Sequence, residues 1–157
     1  MRKKFIYWLF KHSQRMYIKF KRKKAWEITS KELLEYPKES FGYHLGKLLE
    51  KNEFELLPKV ERHDCYHLLT GYGTKVEDEI ALQYVCLGNG KKSPYLFGVL
   101  LIGTIILPEY FKYYLKSYQL GKKCNQFHHF QYQRLLHFSF QEIRETIFNK
   151  QQILQIQ

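Results

Sequence analysis

The 157-residue chain is poor in cysteine, and the three it has, Cys65, Cys86 and Cys124, include no C-x-x-C pair. That count argues against a disulfide framework and against a thiolate zinc site, and it points to a reducing compartment. Long hydrophobic runs are lacking too. The longest, Tyr95 to Leu107, has 13 residues, against the ~20 that a helix needs to cross hydrocarbon. The chain is therefore expected not to cross a bilayer. Near the start, the run Phe5 to Phe10 falls short of the ~7–15 residues of a secretory h-region and no small-residue cleavage site follows, so no signal peptide is expected. No segment alternates with period two between strand-type bounds, which predicts an all-α fold. Acids are missing from residues 1–24, which hold ten cations: Arg2, Lys3, Lys4, Lys11, Arg15, Lys19, Lys21, Arg22, Lys23 and Lys24. The remainder is nearly balanced, so the net charge of +11 belongs to an N-terminal arm and not to the body.

What is abundant is aromatic. Thirteen Tyr, twelve Phe and two Trp supply large apolar surfaces with polar tips, suited to cores and to membrane interfaces. In the arm, Phe5, Tyr7, Trp8, Phe10, Tyr17 and Phe20 interleave with the cations, the composition of an interfacial helix on anionic lipid. The expected organisation is a basic, amphipathic, membrane-interacting arm over 1–24 and a single compact multi-helix domain over 25–157. Turn and capping signals divide that domain. Thr29 with Glu32 makes a capping box for a helix ending before Pro37, and Phe41, Leu45, Leu48 and Leu49 give a second helix from about Ser40 its apolar stripe. A third starts near Pro58 and stops at Thr70-Gly71, and Thr74 with Glu77 caps a fourth that ends at Gly88. Pro94 opens the apolar segment, read as a buried central helix or the wall of a lipid groove, and Pro108 opens the next. Ser139 with Glu142 caps the last.

One stretch carries chemistry: Arg62-His63-Asp64-Cys65-Tyr66-His67, with Glu79 following after eleven residues. At about 100° per residue, His63 and His67 lie about 40° apart on a helix and Asp64 falls in the same sector. Glu79, early in the next helix, becomes a fourth ligand if the Gly71-Tyr72-Gly73 turn folds the two helices together. Two His with one or two carboxylates is the ligand mix of catalytic Zn²⁺ and of non-haem Fe or Mn. Spacing alone leaves the alternative open that both His are ordinary polar positions, Asp64 pairs with Arg62 or Lys59, and Glu79 is solvated. Arg62 is either a surface residue or a fork for an anionic head group beside the metal. The adjacent His128 and His129 point about 100° apart and read as a solvated loop. Cys65 and Cys86 read as packing residues.

The string His63-Asp64-x-x-His67-x11-Glu79 resembles the signature of the coenzyme Q (ubiquinone) biosynthesis protein 4 family. Pro37-Lys38-Glu39-Ser40-Phe41-Gly42 resembles that family's Pro-x-Gly-Thr-x-Gly segment, with Glu39 and Ser40 departing from it. His67-Leu68-Leu69-Thr70-Gly71-Tyr72, Tyr118-Gln119-Leu120-Gly121 and Glu142-Ile143-Arg144 are similar to later family segments, so the likeness runs from about Tyr36 to Phe148. The resemblance implies an all-helical protein that holds a divalent metal through His63, Asp64, His67 and Glu79, with Zn²⁺ first and Fe, Mn or Mg as alternatives. It also implies a polyprenylated quinone precursor as ligand, other quinone-biosynthesis enzymes as partners, and a place on the cytoplasmic face of the inner membrane, or the matrix face in a mitochondrion. The implied activity is metal-dependent oxidative decarboxylation of a polyprenylated hydroxybenzoate, replacing the C1 carboxylate by hydroxyl. The rival is a non-catalytic prenyl-lipid scaffold. A homodimer is allowed, and no nucleic-acid partner is expected.

Overall fold

The structure, a computed structural model, describes residues 1–156. Every regular element among them is helical, as the sequence predicts: α1 (Arg2–Phe20), α2 (Ser30–Leu33), α3 (Phe41–Asn52), α4 (Glu61–Thr70), α5 (Val76–Gly88), α6 (Pro94–Ile106), a 3₁₀ turn (Pro108–Tyr110), α7 (Phe111–Lys123), α8 (Tyr132–Leu135), α9 (Phe140–Ile147) and α10 (Lys150–Gln155). The sole strand-like pairing among the described residues is an isolated antiparallel bridge between Ser40 and Ser139. The helices form two compact units, one from Met1–Phe20 with Tyr72–His129, the other from Lys21–Gly71 with the described chain from Phe130 onward.

In the first unit, α5 and α7 approach backbone to backbone. A Cβ on Gly121 would sit 2.0 Å from the Val85 carbonyl oxygen, and one on Gly88 would sit 2.1 Å from that of Tyr118, so no larger residue fits either position. Asn89, buried just past α5, fastens the chain beyond α7. Its side-chain amide donates to the carbonyls of Gly121 (3.2 Å) and Asn125 (3.1 Å), while its oxygen accepts from the N–H groups of Phe127 (2.8 Å) and His128 (3.0 Å). Buried polar groups are tolerated when bonded in this way. The core gathers Ile6, Ile80, Ala81, Leu107 and Tyr114. α1 contributes Ile6, which is fully buried, and two ionic clasps: Arg2 to Glu109 (2.9 Å) and Lys3 to Glu77 (2.8 Å).

The Lys3 clasp changes the start of α5. Thr74 and Glu77 were expected to form a capping box. Instead Lys75 occupies the N-cap without a side-chain bond, because the Glu77 carboxylate is drawn to Lys3. α6 is not the enclosed central helix that was one of its two expected forms. Leu96, Val99, Leu100 and Gly103 are buried, but Phe97, Leu101, Ile102 and Ile105 face outward. Its uniform apolarity reflects two faces with different surroundings, not a helix enclosed on all sides.

The second unit is tied together by its chain crossings. The N–H groups of Phe41 and Gly42 donate to the carbonyls of Phe138 and Leu136 (2.8 Å each), and that of Phe140 donates to Glu39 (2.9 Å). Phe41 stacks on Tyr132 at 5.7 Å and Tyr66 meets Tyr132 edge-on at 5.9 Å, contacts of the kind that add to area burial. Thr29 with Glu32 does form a capping box, and Ser40 and Ser139 cap α3 and α9 through Tyr43 and Glu142. All three cysteines are free and buried, as expected of Cys65 and Cys86.

Replacing Gly121 by Ala forces α5 from α7, since the added carbon meets backbone that has no rotamer to change. The expected cost is about 3 kcal/mol, the upper end for overpacking, read by urea unfolding. Serine at the exposed Gln119 should cost less than about 0.5 kcal/mol.

Candidate metal site

α4 carries the first three expected ligands, and its start was not where the proline suggested. The helix begins at Glu61, three residues past Pro58, because Lys59 adopts a left-handed conformation (φ 71°) that interrupts it. Glu61 holds this junction. Its buried Oε1 accepts from the backbone N–H groups of Lys59 (2.9 Å) and Trp26 (3.0 Å), and carboxylate bonds of this type are among the stronger ones in proteins. The other end stops at Gly71, also left-handed at φ 70°, whose N–H donates to the His67 carbonyl at 2.8 Å. Here a glycine is required: an L side chain is strained at that φ, and a Cβ would lie 2.3 Å from the Ile156 carbonyl oxygen.

Between these stops, α4 brings His63 and His67 together. Their rings meet edge to face with centroids 4.7 Å apart, and the two Nε2 atoms are 3.1 Å apart. His67 is buried and His63 half-buried. The pair meets the geometric demand of a shared cation. With metal–nitrogen bonds of about 2.0–2.1 Å, two cis ligands are separated by about 2.9 Å in an octahedral site and about 3.3 Å in a tetrahedral one. The observed separation lies between those values. Asp64 follows His63 directly on α4 and is half-buried, as is Arg62. Cys65, one residue further, is fully buried, and burial pushes its thiol well above the ordinary range. It is a packing group rather than a thiolate ligand.

Glu79 belongs to the other unit, in the first turn of α5, where its N–H donates to the Lys75 carbonyl at 2.9 Å. That turn holds three carboxylates, which the positive end of the helix dipole favours. Glu77 takes Lys3 at 2.8 Å, and Asp78 accepts from the Tyr113 hydroxyl at 2.9 Å. Within the second unit, His63 and His67 each offer an imidazole nitrogen that could hold a metal ion. His128, by contrast, lies against Asn89 in a structural role.

The residue that sequence reasoning missed is Glu61. An acid at a helix start is unremarkable in sequence, and the signal that would have singled it out, the left-handed Lys59, is a property of the fold.

No protein-family profile matches the chain, and no curated protein matches it. Among solved structures it is similar to a protein of the cyanobacterium Nostoc punctiforme that is provisionally named a ubiquinone biosynthesis protein. The TM-score is 0.62 at 21% identity, over 75% of this chain and 66% of the neighbour. The chain thus spans just under two thirds of the neighbour's length. At that identity the likeness establishes the fold.

If Glu61 positions the helix that carries the His pair, Glu61→Ala, which strands two part-buried N–H groups, should destabilise the protein by about 1–3 kcal/mol. Glu61→Gln keeps an acceptor in place and should cost clearly less. Denaturant midpoints of the two variants test the difference.

Proposed function

We propose that this protein acts in ubiquinone biosynthesis as a metal-dependent oxidative decarboxylase. It would hold one divalent cation, Zn²⁺ foremost, through His63, Asp64, His67 and Glu79. The observation that carries this reading is the His63–His67 pair, with Nε2 atoms 3.1 Å apart. It occurs in a chain whose fold resembles that of a protein provisionally named for the same biosynthesis.

In this reading His63 and His67 contribute neutral nitrogens, while Asp64 and Glu79 contribute negative charge that offsets the cation. The bound metal would supply Lewis acidity, polarising the ring carboxylate or phenolate of a polyprenylated hydroxybenzoate. The chain's own residues do the rest. The buried His67 fixes the depth of the reacting ring, and the Arg62 guanidinium is the fork that receives the substrate carboxylate. Left-handed Lys59 and Gly71 keep α4 from sliding along its axis, so both imidazoles hold their direction. Replacement of the C1 carboxylate by hydroxyl releases carbon dioxide and is a two-electron oxidation. The hydroxyl oxygen would come from dioxygen or water, and the two electrons would pass to dioxygen supplied from outside the chain.

Protein purified with its metal should contain one divalent ion per chain by elemental analysis. His67→Ala should lower metal affinity by more than the about 10–100-fold typical of losing an outer-shell partner. Glu79→Gln, which preserves volume and removes a charge, should weaken binding less but still abolish quinone output in a host that depends on the protein. Full metal content and full quinone output in both variants would contradict the assignment.

A further inference from the structure

The sides of α5 have different tasks. Towards α6 it sends Ile80, whose Cδ1 would lie 2.7 Å from a Cβ on Gly103, and Tyr84, whose hydroxyl meets that of Thr104 at 2.7 Å. Towards α7 it offers the backbone of Val85 and Gly88. At about 100° per residue, the remaining side carries Glu79, Leu82, Gln83 and Cys86, with Glu79 and Gln83 one turn and about 40° apart. Leu82 and Cys86 are fully buried, and burial pushes the Cys86 thiol up to about 11. The hydrogen-bonding capacity of this side therefore belongs to Glu79 and Gln83. Gln83 is the anomaly: it is 6% exposed and makes no hydrogen bond to any described residue. Its amide, two N–H donors and a carbonyl oxygen, is withdrawn from water without a partner in the fold, although buried polar groups are ordinarily paired. Methionine would fill the same space without that cost.

We infer that Gln83 binds the substrate, its amide pairing with a hydroxyl group on the aromatic ring one helical turn from Glu79, an assignment that rests on the decarboxylase reading for its substrate class. Chemistry selects the hydroxyl. A neutral amide donates and accepts at once, as a phenol hydroxyl does. A carboxylate is met better by a cation, and α5 contains no Lys or Arg. The spacing suits an aromatic ring. Positions four apart on a helix stand about 5–6 Å apart at Cβ, comparable with the distance across a benzene ring between para substituents. One end of the ring can thus face the metal that Glu79 serves while a hydroxyl at the other end meets Gln83. Such a residue also discriminates, because an analogue without the hydroxyl leaves the buried amide unpaired again.

The test uses the full chain, zinc-loaded and metal-free, with 4-hydroxybenzoate and benzoate as soluble probes in isothermal titration calorimetry. Wild type should bind 4-hydroxybenzoate at least about tenfold more tightly than benzoate. Gln83→Met, unbranched and similar in volume, should abolish that preference by weakening 4-hydroxybenzoate alone, with zinc content unchanged. Without a probe, the same variant should raise the urea midpoint, because it removes an unpaired buried amide. A lower midpoint would show that the amide has a partner within the fold and overturns the inference. So does an equal preference in wild type and variant, or wild-type binding of neither probe. Failure of the metal reading leaves a different mark: wild type takes up no zinc. The metal-free samples then decide for Gln83, whose loss must still remove the preference for the hydroxyl.

Discussion

The buried carboxylate of Glu61 decides where α4 begins, and the direction of both imidazoles follows from that choice. It ties the N–H of Trp26, distant in sequence, to that of Lys59 at the helix entrance. One residue more or less at this junction would turn the helix by about 100° and carry His63 and His67 away from their present sector. Gly71 imposes the complementary limit, because its left-handed backbone ends the helix one turn after His67. A ten-residue helix held at both ends has little freedom to slip. The two Nε2 atoms lie within hydrogen-bonding distance of each other, 3.1 Å apart, a separation that a common cation could also span.

The other unit controls its own candidate ligand by different means. α5 is held against α7 by glycines where any side chain would collide with backbone. At its N-terminus, Glu77 and Asp78 are committed to Lys3 and Tyr113. The acidic first turn of α5 thus divides its work: two carboxylates serve the fold, and Glu79 is the one that the metal reading uses. The same Lys3 contact draws α1 onto the unit, so the basic arm is a structural member of the body through Ile6 as well as a carrier of charge.

Much of this was legible in sequence where the cause is local. Thr29 and Glu32, Ser40, Gly71 and Pro94 all act within one helical turn, and each marks the boundary its chemistry predicts. The His63–His67 pair was equally readable, because an i, i+4 spacing on a helix leaves little choice of geometry. The misreadings have long-range causes. Thr74 does not cap α5 because Lys3, far upstream, competes for Glu77. Pro58 does not open α4 because Lys59 turns left-handed under the pull of Glu61. The outward face of α6 could not be distinguished from a buried one, since apolar periodicity has no contrast when every position is apolar.

The central claim is that the two imidazoles bind one metal, and X-ray absorption at the metal edge tests it most directly. Protein loaded with a single equivalent of Zn²⁺ should show a first shell of nitrogen and oxygen at about 2.0–2.2 Å, without sulfur. The outer-shell scattering should require two imidazole rings, falling to one in His67→Ala. A spectrum fitted by oxygen alone, or one unchanged by removal of His67, would contradict the account.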